Sequence, residues 1–315
     1  MFHACPHCGG APSGQAWATG PDGDTKAIAD LTAQARDADP ELARLLRIIR
    51  DQIRVQRNGL RQVETGLKRV LADVTRAIVD DLKAAPGADV PEKVRRMNLN
   101  AEVIAEALTG ALDPVRGDLD DTMAELVVLA ELQLEAGGIT DAVDLSAIEA
   151  AARRLDDEFW GGTIVQPTSQ RMWDGLATAV KGDDLDTVGE RIRRQSGGSV
   201  GRAMTEARTQ LAEFDRTVTA VNAEAAGAEV FAYLGPKDAI TRPFCSELVD
   251  KVFTREQVGQ LDNAQTVVSP IISGGGYNCR HSWSPLSAVA ADAMGLERGT
   301  MADVRTANRR ARAAR

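Results

Sequence analysis

The chain has 315 residues, 37 Lys and Arg against 46 Asp and Glu, a net charge of −9, and only 4% aromatic residues. That length gives ample core for one large domain or two smaller ones, and the scarcity of aromatics beside abundant Ala, Leu, Arg and Asp argues for helices and against a β-sandwich. The acidic balance excludes non-specific nucleic-acid binding by the body as a whole, and no stretch approaches the ~18 uninterrupted apolar residues of a membrane span.

The N-terminus reads His3-Ala4-Cys5-Pro6-His7-Cys8-Gly9-Gly10. It lacks the basic and apolar regions of a secretory signal, and with no apolar span the chain is expected to be soluble. Cys5-x-x-Cys8 before glycine is the usual way to present two metal ligands from one tight turn. A redox pair is the alternative, but no βαβ pattern surrounds it. Residues 1–25 are therefore a Cys-x-x-Cys turn followed by a loop rich in Gly, Pro, Ser and Asp.

A helical body is predicted over 26–199. Leu60, Val63, Leu67, Val70 and Val74 are spaced 3, 4, 3, 4, a heptad seam that Leu42, Leu46, Ile49 and Ile53 continue upstream and Ile78 and Leu82 downstream. Gly59 and Gly66 fall off this seam. Ala84-Ala85-Pro86-Gly87 ends the helix, giving ~40 residues and about 60 Å at 1.5 Å per residue, a length suited to an extended bundle or stalk. A second block over about 91–136 breaks near Asp113-Pro114 and closes at Gly137-Gly138. Asp144 opens a helix that Trp160-Gly161-Gly162 should stop, Pro167 starts another, and Lys181 to Asp184 forms a turn. Gln195-Ser196-Gly197-Gly198-Ser199 reads as a hinge or linker.

The texture changes at Gly227. Glu229 to Leu234 is β-like, Phe244 to Val249 suits a short helix, and Thr254 to Gln257 has the pattern of a capping box. Gly274 to Gly276 reads as a flexible turn before a strand over Tyr277 to Trp283. From Pro285 onward the pattern is helix and then a basic tail. Six arginines stand against one acid between Arg298 and Arg315. Arg305, Arg309, Arg310, Arg312 and Arg315 suit a DNA-binding arm that contacts duplex without sequence preference. An acidic protein partner and a solvated terminus are the other readings. The fold class is thus mainly α, helical again over 200–226, with a small C-terminal α+β module over 227–286 and a helix with basic tail over 287–315.

Every histidine lies within two residues of a cysteine. Pairing of the two β-like segments would let Asp238, Cys245, Cys279 and His281 converge on a closed structural zinc site. A second version joins the termini around one zinc through Cys5, Cys8, Cys279 and either Cys245 or His281. A Cys245–Cys279 disulfide, two inert thiols and a nucleophilic Cys279 remain open alternatives.

The segment 200–286 resembles the Mu F-like family of phage head morphogenesis proteins, or minor head proteins. The likeness rests on the helix Arg202-Ala203-Met204-Thr205-Glu206-Ala207-Arg208-Thr209, the strand ending Phe231-Ala232-Tyr233-Leu234, Asp238 followed by Thr241 and Cys245, and Tyr277-Asn278-Cys279-Arg280-His281. In that family the histidine commonly precedes the Cys-Arg pair, whereas His281 follows it. The resemblance implies a structural virion protein of a tailed phage, not an enzyme. It would be present in several copies and would meet the portal or other head and neck proteins. Two alternatives come from other classes: a zinc-ribbon interaction protein with a coiled-coil stalk, and a Mu F-like protein associated with a toxin or transferase.

Overall fold

A computed structural model describes residues 21–87, 89–140, 144–179 and 185–314; Cys5, Cys8 and Arg315 lie outside them. The elements in order are α1 (Pro21–Asp37), α2 (Pro40–Ala84), α3 (Val90–Arg96), α4 (Ala101–Ala111), α5 (Asp113–Ala136), α6 (Leu145–Asp156), a π-helical stretch (Asp157–Val165), α7 (Gln166–Ala179) and α8 (Leu185–Ala225). Then come β1 (Val230–Leu234), α9 (Pro243–Leu248), β2 (Lys251–Thr254), α10 (Arg255–Gly259), α11 (Pro270–Ser273), β3 (Ser282–Leu286), α12 (Ala288–Ala293), β4 (Glu297–Arg298) and α13 (Met301–Ala313). The protein is mainly α with a small C-terminal α+β portion. No described helix is long and apolar enough to cross a membrane.

The heptad helix is α2. Asp39 caps it by accepting from Glu41 N, with Pro40 at its first turn, and Ala85 leaves in extended geometry ahead of Pro86. Leu60, Val63, Leu67, Val70, Val74, Ile78 and Leu82 are all buried. The helix is not a free stalk, because α1, α5 and α8 lie along it. Gly59 and Gly66 also serve a purpose that their place off the seam hid. A Cβ on Gly59 would run into Thr122, and one on Gly66 would come 2.7 Å from Val115, both side chains of α5. These glycines let α2 and α5 approach closely.

Two expected breaks are absent. Trp160-Gly161-Gly162 does not stop a helix; the chain widens into the π-helical stretch and runs on into α7. The widened turn brings Phe159 and Trp160 into the core, each 1% exposed and edge-to-face at 4.7 Å, and burial of two aromatics outweighs the backbone cost of two glycines. Likewise Gln195 to Ser199 is no hinge but the interior of α8. Ile192 and Ser196 before the glycines and Val200 and Ala203 after them are all buried. Tertiary burial of that stripe overrides a glycine penalty of about 1 kcal/mol each.

The sheet has the order β3-β1-β2-β4, antiparallel except for the parallel β2–β4 pair. The strand expected over Tyr277 to Trp283 begins later, at Ser282, and continues through Pro285, which pairs with Phe231. A proline is tolerated there because β3 is an edge strand. Side chains alternate along β1. Phe231 and Tyr233 join the core with α9 and α13, while Ala232 and Leu234 face a second core built from α1 and the first half of α2. The helical body thus covers one face of the sheet directly. The basic tail is an ordered element, α13, opened by a Thr300–Asp303 capping box, with Val304, Ala307 and Ala311 buried.

Candidate metal centre

Three donors meet beneath the start of β3. Cys245 sits in the first turn of α9, placed by Pro243 at that helix's start, and Cys279 and His281 lie in the approach to β3. Their Sγ and ring-nitrogen atoms all fall within 4.8 Å of one another and all three residues are buried. Cys245 Sγ is 3.8 Å from Cys279 Sγ, which is 3.8 Å from His281 Nδ1. A tetrahedron with metal–sulfur bonds of ~2.3 Å has edges of about 3.8 Å, whereas a disulfide would need ~2.05 Å. The two thiols are free, and the group can hold a metal ion.

The imidazole is presented correctly for this. Its Nε2 lies 3.0 Å from the carbonyl oxygen of Pro236, which can only accept, so Nε2 carries the proton and donates. In the neutral ring that leaves a lone pair on Nδ1, facing the sulfurs. Donation from the far nitrogen to a carbonyl is the usual second contact of a metal-bound histidine. The ring also stacks on Tyr233, 5.3 Å between centroids and 12° between planes. Tyr233 Oη stands 3.4 Å and 3.5 Å from the two sulfurs.

Glycine makes the close approach possible. A Cβ on Gly235 would strike the His281 ring, one on Gly275 would strike Cys245 Sγ, and Gly274, at φ +57°, passes 2.9 Å from Cys279 Sγ by the same construction. The Gly274 to Gly276 run is therefore a fitted wall, not a flexible turn. Arg242 Nη1 and Asn263 Nδ2 fix it by donating to the Gly275 and Gly274 carbonyls at 2.9 and 3.1 Å.

Electrostatics favour a charged sulfur. Cys279 is pushed well below the usual thiol range by a hydrogen bond from Cys245, against burial and with help from Arg216. Cys245 is pushed well above it by its bond to Cys279 and by burial. A cation bound between the two sulfurs would hold both as thiolates and displace their protons. Arg216 of α8, 4% exposed, donates to the carbonyls of Ile272, Cys279 and His281, the last two at 3.2 and 3.1 Å.

Asp238 is not a ligand. Arg280, the residue between two donors, turns away and takes both Asp238 oxygens at 2.6 and 2.8 Å. Burial works to raise the Asp238 carboxyl, but Arg280 and Thr241 hold it below the ordinary range. Arg280 also donates to Gly23 O of α1 at 2.9 Å.

No protein-family model, no curated protein and no solved structure matches this chain. The site must be read from its own geometry. Of the five proposed metal ligands, Cys245, Cys279 and His281 converge, and Cys5 and Cys8 lie outside the described residues. The arginines of the tail project from α13, and two are engaged within the chain: Arg310 with Glu247 at 2.6 Å and Arg312 with Asp262 at 3.0 Å. Arg309 reaches Thr306, and Arg305 is exposed. Sequence reasoning missed Tyr233 and Arg216. The first was visible only as a strand residue. The second acts across 63 and 65 residues of chain, a separation no local motif reveals.

Proposed function

We propose that this chain is a structural phage protein, a minor head protein whose C-terminal module is braced by one zinc ion held by Cys245, Cys279 and His281. Mixed thiolate and imidazole donors suit zinc, and the spacing of the donors and the protonated Nε2 of His281 support it. The head-protein reading rests on the likeness of residues 200–286, and one observation carries it further. The residues that make up that likeness pair with one another, Asp238 with Arg280 and Cys245 with Cys279. A pattern of residues that form one interlocked unit is a more specific match than the same residues scattered over a surface.

In this reading the zinc fastens α9 to the approach of β3, and the long helices offer faces for repeated contacts with the portal or neck. Packaged DNA remains a partner for Arg305 and Arg309, sequence-independent and salt-sensitive. The test has two arms. Elemental analysis of purified protein should give close to one zinc per chain. Co-expression with a tailed-phage portal protein should yield a complex surviving size exclusion. A protein that carries zinc but never associates with portal would favour the interaction-protein alternative.

A further inference from the structure

Among the described residues three protein donors converge, which leaves a tetrahedral ion one position short, and the surroundings indicate what fills it. Cys245, Cys279 and His281 all line a single cavity of about 20 Å³, shared with Ile240, Thr241, Arg242, Asn278 and Arg280. At roughly 10–15 Å³ per water-sized occupant, such a space takes little more than one small molecule. Its rim residues Ile240, Thr241, Arg242 and Asn278 are half-buried, so the cavity reaches toward solvent.

Two polar atoms of that rim are unsatisfied. Arg242 Nε and Asn278 Oδ1 are buried with no hydrogen-bond partner among the described residues. Asn278 is held at φ +55°, a left-handed conformation that asparagine tolerates better than most residues. An orphaned guanidinium donor at a buried site is costly unless something accepts from it.

Charge gives the sign of the missing group. A divalent ion with two thiolates and a neutral imidazole has no net charge. Around it stand Arg216 and Arg242, whose hydrogen bonds go to backbone carbonyls, of Ile272, Cys279 and His281 for the first and of Gly275 and Tyr277 for the second. Neither makes a salt bridge to a carboxylate among the described residues. The remaining cation, Arg280, is neutralised by Asp238. Arg216 also acts on Asp215 and Glu213 of its own helix, so Arg242 is the cation at the cavity with no carboxylate partner among the described residues.

We infer that the metal centre keeps its fourth position open toward this cavity, where it binds a small monoanion of hydroxide, halide or azide size, held beside Arg242. This rests on the metal reading above. The anion completes the ion's coordination, accepts from Arg242 Nε and offsets the charge of Arg242. Binding of a preformed anion exchanges it for metal-bound water, with no change of oxidation state.

The test uses the full chain loaded with cobalt(II) in place of zinc. Thiolate-to-cobalt charge-transfer bands report that the metal is bound by the cysteines; their absence sinks the metal reading itself. With those bands present, titration with sodium azide should shift the visible d–d bands along a saturable, single-site curve. Arg242→Lys keeps the charge but removes the Nε donor, and it should weaken azide about tenfold or more while leaving the charge-transfer bands in place. Unchanged d–d bands in the wild-type chain at saturating azide would overturn the open position, because a protein group, such as Tyr233 or a further thiolate, then closes the site. Azide binding that is equally tight in Arg242→Lys would overturn the role of Arg242.

Discussion

Arg280 and Asp238 face each other through two hydrogen bonds on the side of the chain opposite to the donors of Cys279 and His281. In an extended segment, alternate residues point the same way and the residue between points the other way. The Cys-Arg-His triplet therefore serves two structures at once. Substituting Asp238 should test this division directly: Asp238→Ala is expected to keep the metal and lose thermal stability, because Arg280 is 7% exposed at its side chain and would be left without its carboxylate. Cys279→Ser and His281→Ala should lose the metal. Elemental analysis beside thermal melts separates the two classes, and metal lost equally in all three variants would return Asp238 to the ligand set.

The α2–α5 crossing gives a second prediction. Gly59→Ala and Gly66→Ala should destabilise the fold by about 1–3 kcal/mol through overpacking against Thr122 and Val115. Gly110→Ala and Gly117→Ala meet nothing within 4 Å, so there the same change should stabilise by roughly 0.5–1 kcal/mol through helix propensity. Urea denaturation of the four variants checks both signs; four changes of the same sign would refute the close approach.

Asp215 predicts a pH dependence. Burial raises its carboxyl from 3.8 to about 7, against the opposing pull of Arg216 and a hydrogen bond from Gln56. A folded-state value above the unfolded one means that folding takes up a proton between those limits. The stability this contributes is complete below pH 3.8 and is lost as pH rises through about 7. Asp24, also raised by burial, acts in the same direction. Asp215→Asn should therefore flatten the fall in denaturation midpoint between pH 4 and 7 relative to the wild-type chain. Superimposable profiles would mean that Asp215 is ionised inside the fold.

The tail yields a fourth. Removing residues 304–315 takes away Val304, Ala307 and Ala311, which share a core with Phe244, Phe253 and Trp283, so the truncated chain should lose the C-terminal module and not merely an arm. Charge is better probed by Arg305→Ala with Arg309→Ala, which should leave the melting temperature within about 1 °C, as expected of surface changes. If these arginines meet DNA, the doubly substituted chain should bind duplex with a slope of log affinity against log salt shallower by about 2. An unaltered slope would remove them from the interface.

What the sequence disclosed follows how local each signal was. Heptad spacing from Leu42 to Leu82 and the Pro86 stop located α2 because both signals lie within or beside the element, while its Asp39-Pro40 start was not read from the sequence. Capping chemistry likewise marked the starts at Asp144 and Thr254. The glycines misled at Gly161-Gly162 and Gly197-Gly198, where burial of distant partners decided the outcome, and again at Gly274 to Gly276, where an absent side chain makes room for sulfur. In the centre, Cys245, Cys279 and His281 were legible from residue type. Asp238 was the wrong fourth member because its true partner, Arg280, reads in sequence as one more surface charge.

One consequence of α8 concerns alignment. Asp215 and Arg216 are neighbours on that helix, about 100° apart around its axis at 3.6 residues per turn, and they grip different things. Asp215 accepts from Gln52 and Gln56 of α2, and Arg216 holds the carbonyls of Cys279 and His281. A slip of α8 by a single residue would detach both at once, and no intermediate setting satisfies either. The register between the bundle and the sheet is therefore indexed like a keyed shaft, with one seated position and no gradual misfit.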